Sequence, residues 1–491
     1  MPCLHGFCYN ARRFPEGHVS LLNPRFRTPY QVRHLMNSLE RRSVAALASV
    51  YAMRMLGLFM VMPVFVLLGS DLDGATPALI GLAIGAYGLS QALLQIPFGM
   101  LSDRVGRKRM IYIGLVLFAA GSLLAASTDS IYVVIAGRIL QGAGAIASVL
   151  MALLSDLTRE EERTKAMATV GISIGLSFSV SLVLGPLLGS VSGLSGIFYA
   201  TAVLALVAIM IVNRVVPTPH EHKSSADTHP ARAMLQTVLS DGRLLRLDFG
   251  IFALHLVLTA MFLVFPTLLQ NRLGLPASSH WWFYLTVMVA SFFAMVPFII
   301  VGEKKRRMKP VFCGAIALLA LSTACVGALE SGLAMAWGVL FFFFMAFNLL
   351  EASLPSLVSK ESPAAAKGTA MGVYSTSQFF GAFLGGAVGG ILLEQLGLQG
   401  VLWFMVGALL VWLTVALTMS TPGHTTSFVV QLQPVVYSQF DEIDDTLRGI
   451  PGVQDVVILE EAETAYLKVD RQTFDELSLA DFPFVRLGGH S

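Results

Sequence analysis

Charged side chains are scarce in this sequence. Only 13% of its 491 residues are Asp, Glu, Lys or Arg, whereas soluble domains carry about 25%. Hydrophobic residues make up 55% of the chain, and the mean hydropathy is +0.70. This composition excludes a soluble globular protein and predicts an integral membrane protein whose helices pack through small residues.

The sequence also lacks the motifs of several kinds of site. Its four cysteines, Cys3, Cys8, Cys313 and Cys325, form no C-x-x-C pair, so neither a disulfide framework nor a thiolate metal site is indicated. The absence of a G-x-x-x-x-G-K-[ST] phosphate loop excludes a pump that is driven by its own nucleotide site. We expect no metal, no other cofactor and no enzymatic activity.

Long apolar windows recur along most of the chain. A membrane helix needs about 20 apolar residues. Twelve windows of this kind are present, at residues 43–69, 77–101, 109–127, 131–154, 164–191, 194–213, 246–270, 277–301, 310–329, 332–358, 363–393 and 396–419. The predicted fold class is therefore an all-α membrane protein with twelve transmembrane helices.

Lys and Arg are distributed unevenly between the two sides of these windows. If the amino terminus is placed in the cytoplasm, the opposite side carries a single cation, Arg272. Because positive flanks are kept in the cytoplasm, both termini are predicted to be cytoplasmic. The expected location is the inner membrane of a bacterium.

A polar segment divides the windows into two sets of six. Residues 214–245 form this predicted cytoplasmic loop, between an amino-terminal bundle at 36–213 and a carboxyl-terminal bundle at 246–420. The two sets of six windows predict two pseudo-symmetric bundles.

A repeat supports this division. Pro63 lies 36 residues before Gly99, and Pro266 lies 36 residues before Gly302. Duplicated halves of this kind are a transporter architecture, with the substrate site between the halves near the middle of the membrane.

The first 35 residues are basic and have no apolar core that would suit a signal peptide. We interpret residues 1–35 as an upstream extension, with Met36 as a natural start. The alternative is a basic arm that contacts anionic lipid.

Residues 427–491 show the periodicity of a small soluble domain. The predicted order is βαββαβ, with strands at 428–434, 453–459, 464–469 and 482–485 and helices around Phe440 to Leu447 and near Phe474 and Leu477. This order is typical of a ferredoxin-like module. Its first loop offers no thiolate, so carriage of copper or zinc is not expected.

This tail is acidic, with 12 acidic and 4 basic residues. Nucleic-acid binding is therefore disfavoured. One hypothesis is that the tail docks on the basic cytoplasmic loops, because opposite charges attract over the Debye length of about 8 Å. The alternative is a tethered domain with a solvated acidic surface.

The most specific local signal lies between the second and third windows, where residues 99–109 read GMLSDRVGRKR. This stretch resembles the G-x-L-a-D-r-x-G-r-k loop of the major facilitator superfamily. Three further stretches resemble its drug-efflux branch. They are Leu56-Gly57 to Pro63 in the first window, RILQGAG at 138–144, with Arg138, Gln141 and Gly142, and the antiporter motif at Gly185, Pro186 and Gly189, which departs from the pattern at Ser190. The chain is similar, from about residue 36 to its end, to members with a ferredoxin-like tail.

The resemblance implies a conformational latch made by Gly99, Asp103, Arg104, Gly106, Arg107 and Asp156. Ser362-Pro363 has the residue types of a helix cap and first turn, so it predicts that the eleventh helix (window 363–393) begins there. The positive end of that helix's dipole would meet Asp103. The resemblance implies this contact and an Arg107–Asp156 salt bridge, both of which hold the outward-facing state. Aligning Gly302 with Gly99 places Arg306 where Asp103 lies, so the two halves are predicted to differ.

Four ionisable residues lie inside apolar windows: Arg54, Arg138, His255 and Glu351. Placing such a group at the centre of a membrane helix costs about 2.5–3.5 kcal/mol of insertion free energy. Each of the four therefore indicates a structural or functional role. Glu351, His255 and Arg54 are the predicted proton-coupling residues, with Glu351 as the first candidate for the proton carrier and His255 as the second. Arg54 pairs with a substrate carboxylate or with another side chain, and Arg138 supports packing or relays charge.

Glycines recur at four-residue spacing on two helices, at Gly81 and Gly85 and at Gly381, Gly385 and Gly389. This spacing predicts close crossings at a sliding contact between the bundles. Pro186, flanked by Gly185 and Gly189, predicts a bend in helix five.

These features predict a monomeric proton-coupled antiporter in membrane lipid. Aromatic helix faces indicate a lipophilic or amphipathic small-molecule cargo, which would be exported by alternating access. Two alternatives stay open: a facilitator or symporter for a polar nutrient, and a non-transporting membrane sensor that uses the tail.

Overall fold

The computed structural model describes residues 36–218, 231–329, 332–363, 366–420, 425–433, 440–459, 464–470, 473–475, 478–479, 482 and 484–485. The basic extension at 1–35 lies outside them. In the described part, ten helices are long and apolar enough to cross a membrane. The prediction of an all-helical membrane protein is confirmed.

The amino-terminal half consists of α1 (Ser38–Phe59), α2 (Met62–Leu68), α3 (Pro77–Val105), α4 (Arg107–Ala126), α5 (Ile131–Ala143), α6 (Ala147–Asp156) and α7 (Glu160–Arg214). Pro63 explains the break between α1 and α2, because it has no N–H to donate to the preceding turn. The predicted window at 131–154 is divided between α5 and α6 by residues 144–146.

The carboxyl-terminal half consists of α8 (Ala231–Ser240), α9 (Gly242–Asn271), α10 (His280–Lys304), α11 (Met308–Val326), α12 (Leu333–Glu361) and α13 (Lys367–Leu417). Helix α8 lies inside the predicted loop at 214–245. Its short apolar face, with Leu235 partly buried and Val238 fully buried, packs on the bundle. A window of 20 apolar residues does not detect such a helix.

Two helices are much longer than a membrane is thick. Helix α7 has 55 residues and α13 has 51, whereas about 20 residues cross the hydrocarbon core. Gly193 in α7 (φ 64°) and Gly397 in α13 (φ 66°) interrupt the helical geometry. Glycine tolerates this positive φ because it has no Cβ. The chain changes direction at both residues, close to the predicted boundaries between windows.

The predicted start of helix eleven at Ser362-Pro363 is wrong. Ser362 caps the end of α12, where its hydroxyl donates to the carbonyl of Val358, and α13 begins at Lys367. Serine hydroxyls bond either to a following N–H or to a carbonyl four residues earlier, so the dipeptide alone did not distinguish the two ends.

The tail contains β1 (Thr425–Gln431), α14 (Phe440–Arg448), β2 (Val453–Leu459) and β3 (Thr464–Asp470). The strands form an antiparallel sheet in the order β1-β3-β2. Of the predicted strand at 482–485, the described residues show one antiparallel bridge, between Leu432 and Val485. The side-chain hydrogen bond with Asp444 raises the pKa of Arg448 at the end of α14.

Candidate functional site

The two halves meet closely along α3 and α13, at the end predicted to be extracytoplasmic. A Cβ on Gly85 would lie 2.7 Å from the carbonyl oxygen of Phe383, and one on Gly386 would lie 2.6 Å from that of Gly81. Gly390 faces the start of α3 in the same way. The backbones touch because no side chains separate them.

The prediction that Gly381, Gly385 and Gly389 face the opposite bundle is wrong. A Cβ on Gly381 or Gly385 would collide with the backbone of Phe252 or Leu256 on α9, which belongs to the same half. A second row on α13, Gly386 and Gly390, faces α3 instead. Two glycine rows that are offset by one residue point about 100° apart around a helix. The four-residue spacing shows that each row allows a close contact, but it does not show which helix that contact is with.

Glu351 and His255 lie together in the carboxyl-terminal half, on α12 and α9. Glu351 Oε2 and His255 Nδ1 are 3.8 Å apart, and neither atom has a hydrogen-bond partner. Gln378 of α13 bridges them, with its Nε2 at 2.8 Å from His255 Nε2 and 3.4 Å from Glu351 Oε1. The structure therefore joins two of the three predicted proton-coupling residues.

The bridging amide assigns the histidine tautomer. An amide N–H donates, so the Nε2 of His255 accepts and its proton sits on Nδ1, which faces Glu351. The Glu351 side chain is 32% exposed and that of His255 is 8% exposed. The carboxyl is therefore the more accessible member of a pair that can exchange protons.

The structure adds two residues to this cluster. Asp248 of α9 is 4% exposed, and neither of its carboxylate oxygens has a partner. The buried hydroxyl of Tyr374 on α13 also has no partner, and it interacts electrostatically with both Glu351 and Asp248. Asp248 lies inside the apolar window 246–270. Its position in the sequence alone marks it as a candidate site residue, but it was not among the predicted ones.

The third predicted proton-coupling residue, Arg54 of α1, lies in the other half. It is 2% exposed. Its Nη2 donates to the hydroxyl of Tyr87 at 3.0 Å and to Gln91 Oε1 at 2.5 Å. Gln91 in turn donates to Gln95. Arg54 therefore belongs to a separate polar row along α3.

Arg138 of α5 is also buried, but unlike Arg54 it has no buried guanidinium nitrogen without a hydrogen-bond partner. Its Nε donates to the carbonyl of Ala83 at 3.2 Å, its Nη1 donates to Gln141 Oε1 at 2.8 Å, and its guanidinium lies 5.1 Å from the ring centre of Tyr87. Gly142 abuts the backbone of Tyr87. These contacts favour the predicted packing role, because they hold α3 and Tyr87 in place.

Aromatic rings join the two polar clusters across the interface. Tyr87 of α3 and Phe379 of α13 have ring centres 6.2 Å apart, and Phe178 of α7 lies 5.8 Å from Phe347 of α12. Phe347 also contacts His255, at 6.1 Å. The candidate site is therefore an apolar, aromatic junction with a cation on one side and acids on the other.

The predicted latch loop connects α3 and α4. Arg107 contacts Asp103, with Nη1 and Oδ1 2.5 Å apart, and Asp156, with Nε and Oδ2 3.3 Å apart. Gly106 forms the turn at φ 104°. Asp103 is 59% exposed, and among the described residues it forms no hydrogen bond or ion pair with α13.

Two other predicted latch residues lie on the last turns of α3. Gly99 faces Ser148 of α6, where a Cβ would lie 3.2 Å from the serine hydroxyl. Arg104 is exposed. The loop is therefore tied to its own half.

The matching loop of the second half aligns differently from the prediction. Pro297 and the positive-φ residue Arg306 (φ 55°) of that half correspond to Pro97 and Gly106 at a constant offset. Arg306 therefore matches Gly106 rather than Asp103. The predicted alignment of Gly302 with Gly99 is wrong. The segment that joins the first and second helices is three residues shorter in the second half, so an alignment that fits the first helices does not fit the second ones.

With this alignment, an acid stands in the same place in both loops. Glu303 matches Asp103, and it pairs with Lys360 at the end of α12, at 2.8 Å. In the first half the loop's cation, Arg107, pairs with an acid at the end of α6, Asp156. Each half therefore has an ion pair between this loop and the end of a helix of the same half, but the loop supplies the cation in the first half and the acid in the second.

The antiporter-type motif packs within its own half. A Cβ on Gly185 would collide with the carbonyl of Met60, next to the break before α2, and one on Gly189 would lie 3.1 Å from Leu68. Helical geometry continues through Pro186. The motif lets α7 approach the broken α1–α2 segment. Among the described residues, no group of three His, Cys, Asp or Glu side chains could hold a metal.

Two duplicated helical halves, with ionisable side chains on either side of their aromatic junction, form the architecture of a membrane transporter. The family model "Major Facilitator Superfamily" matches residues 47–386, and the chain belongs to this superfamily. It is a multi-pass transport protein and not an enzyme.

Individual proteins agree with this assignment. "Inner membrane transport protein YajR" of Escherichia coli (strain K12) is 46% identical over 442 residues, which cover 90% of this chain and 96% of YajR. "Multidrug resistance protein MdtH" of Aeromonas salmonicida (strain A449) is 27% identical, covering 71% and 87%. The crystal structure of a bacterial homolog of the human lysosomal transporter Spinster, in an inward-facing and occupied conformation, shares the fold with a TM-score of 0.62 at 12% identity, covering 77% and 96%.

Proposed function

We propose that this chain is a proton-coupled antiporter that exports small lipophilic or amphipathic compounds by alternating access. The observation that carries the proposal is the cluster of Glu351, His255 and Gln378. A carboxyl and an imidazole face each other inside apolar helices, and each has an atom without a hydrogen-bond partner. Ionisable groups are costly in this position and mark ion pathways.

The proposed topology has twelve spans. Counting α7 and α13 as two spans each, divided at Gly193 and Gly397, raises the ten long apolar helices to twelve. The cations of the connecting loops place both termini in the cytoplasm. The inner-membrane name of the YajR relative supports the proposed location.

The proposed cargo follows from the lining of the junction. Phe59, Phe178, Phe344 and Phe347 form a continuous set of ring contacts between α1, α7 and α12. Apolar and aromatic walls with a few polar groups suit lipophilic ligands. The relative that is named a multidrug resistance protein supports the same class.

In the proposed cycle, this structure represents the state that is closed at the extracytoplasmic end. The glycine contact between α3 and α13 makes that closure, while Asp103 is exposed and pairs with Arg107 of its own half. When the halves rock, the glycine contact opens and Asp103 meets the start of α13, where the helix dipole favours an anion. In that outward-facing state the cargo leaves and a proton from the outside binds Glu351, and the return to the present state releases this proton to the cytoplasm.

Everted membrane vesicles test the proposal. We expect a pH gradient, acid inside, to drive uptake of a lipophilic dye into the vesicles and a protonophore to abolish it. Failure of a broad dye panel together with gradient-driven movement of a polar metabolite would favour a nutrient transporter. Failure of all transport would favour a sensor.

We also propose that the tail docks on the cytoplasmic loops. Its strand order, with the Leu432–Val485 bridge, matches a ferredoxin-like sheet in the order 4-1-3-2. Asp470 at the end of β3 lies 3.9 Å from Arg306 in the loop between α10 and α11. Both side chains are partly exposed, so the pair is worth about 0–1 kcal/mol.

Charge reversal at this pair tests the docking. We expect Arg306→Glu to speed hydrogen exchange of β3 about twofold to fivefold at low salt, because it replaces attraction with repulsion. Adding Asp470→Lys should restore protection, whereas Arg307→Glu, one residue further along the loop, should leave it unchanged. Unaltered transport and salt dependence after removal of residues 427–491 would contradict a role in gating.

A further inference from the structure

Arg54 is a buried cation whose hydrogen-bonding capacity is only partly used. Its Nη2 contacts Tyr87 and Gln91, but Nε and Nη1 have no partner at all. The side chain is 2% exposed. A guanidinium has five N–H donors, and a buried donor without an acceptor is costly.

The charge of Arg54 is also uncompensated. In the described part of the chain, no carboxylate oxygen forms an ion pair with it within 4.0 Å, and the ring centre of Phe118 lies 6.0 Å from its Cζ. Burial of an ion without a counterion is strongly unfavourable. Arg138, beside the same tyrosine, differs because no atom of its guanidinium is buried without a partner.

Arg54 lies at the junction of the two halves. Its acceptor Tyr87 contacts Phe379 of α13, and the next residue, Gln378, bridges Glu351 and His255. Tyr51, nearly one turn before Arg54 on α1, is partly exposed. The unsatisfied donors therefore lie beside the aromatic junction that would hold a cargo.

The ionisable side chains beside the junction differ in sign between the halves. The amino-terminal half holds the buried Arg54 and Arg138, and the carboxyl-terminal half holds the buried Asp248 and the partly exposed Glu351. The other buried acids of the amino-terminal half, Glu40 and Glu162, lie at its cytoplasmic end, where they pair with Arg159 and Lys165. An acidic group of a ligand is attracted to the first side and repelled by the second. A ligand bound in this orientation would leave Glu351 free for a proton.

We propose that Arg54 binds a carboxylate of the cargo, so that the exported compounds are amphipathic organic acids with an aromatic or apolar body. The inference rests on the proposed transport function and narrows its substrate class. The acid group occupies Nε and Nη1, while the apolar body packs against Tyr87 and Phe379. A charge-assisted contact of this kind is about twice as strong as a neutral hydrogen bond.

Two matched dyes test the proposal: rhodamine B, which has a free carboxylate, and rhodamine B ethyl ester, which has the same ring system without it. Binding to the purified full-length protein in detergent is measured by fluorescence anisotropy at pH 7.5. We expect the wild type to bind the acid about tenfold or more tightly than the ester. Arg54→Gln should remove this preference, and Arg54→Lys should keep part of it.

Equal affinity of the wild type for both dyes, binding of neither dye, or an unchanged preference in Arg54→Gln would overturn the proposal. Because binding is measured without a gradient, it does not depend on proton coupling. A carboxylate preference that depends on Arg54, in a protein that shows no gradient-driven transport, would reject the antiporter function and leave the binding site in place.

Thermal unfolding separates ligand binding from a packing role. The two buried arginines provide a matched pair, since one is unsatisfied and the other satisfied. We expect Arg54→Met to leave the melting temperature unchanged or raise it, and Arg138→Met to lower it. A larger loss of stability from Arg54→Met than from Arg138→Met would show that Arg54 serves the fold, and would overturn the assignment.

Discussion

Replacing Glu351 by Gln is expected to abolish gradient-driven export while the protein still reaches the membrane. The amide can still accept the hydrogen bond from Gln378, whose Nε2 lies 3.4 Å from Glu351 Oε1, but it cannot gain or lose a proton at ordinary pH. Dye efflux under an imposed pH gradient should fall to the level seen with a protonophore. Exchange of dye across the membrane at zero gradient should persist, because that exchange needs no proton.

Two further variants make this expectation specific. His255→Asn should reduce coupling only in part, since the carboxyl remains. Asp71→Asn, at an exposed acid outside the membrane helices, should transport as the wild type does. Normal gradient-driven efflux by Glu351→Gln would contradict the proton-carrier role and favour a sensor or an uncoupled facilitator.

Gly81→Ala is expected to open the contact between the halves at the extracytoplasmic end. The new methyl group would collide with the carbonyl oxygen of Gly386 and lie 2.7 Å from the Cα of Gly390. Backbone atoms cannot move aside as a side chain can, and overpacking costs about 1–3 kcal/mol. This corresponds to a shift of about five- to 150-fold between the open and closed states.

Spin labels on Ser70 and Leu396, one in each half at this end, would report the opening as a longer distance distribution, and transport should fall about tenfold. Gly372→Ala is the matched control, since a Cβ there meets nothing within 4 Å. Gly121→Ala, which crowds Gly137 inside one half, should lower thermal stability without changing the distance. An unchanged distance in Gly81→Ala would show that these glycines are only static packing.

The membrane helices could be predicted because hydrocarbon imposes a length and a composition on each of them. Local polar signals were less informative. Ser362 bonds backwards to Val358 instead of opening α13, and the same residue type suits either end of a helix. The short helix α8 escaped detection because only part of one face is apolar.

The candidate site was predicted only where it contains costly groups. Glu351 and His255 were conspicuous in apolar windows, and the structure brings them together. Gln378, which bridges them, is one neutral amide among many and has no comparable signal. Asp248 could have been predicted in the same way, because it is also an acid inside an apolar window, but it was not. The assignment of the glycine rows required the three-dimensional neighbours of α13, because Gly385 and Gly386 differ by one position and face different helices.

The connection between the last membrane helix and the tail is short, since α13 ends at Leu417 and β1 begins at Thr425. The seven residues between them allow a separation of at most about 30 Å when fully extended. The tail is therefore held near the transporter at an effective concentration on the order of millimolar or higher. The short connection lets a weak ion pair such as Arg306–Asp470 open and form again many times, and a small change in ionic conditions can shift this balance without separating the two parts.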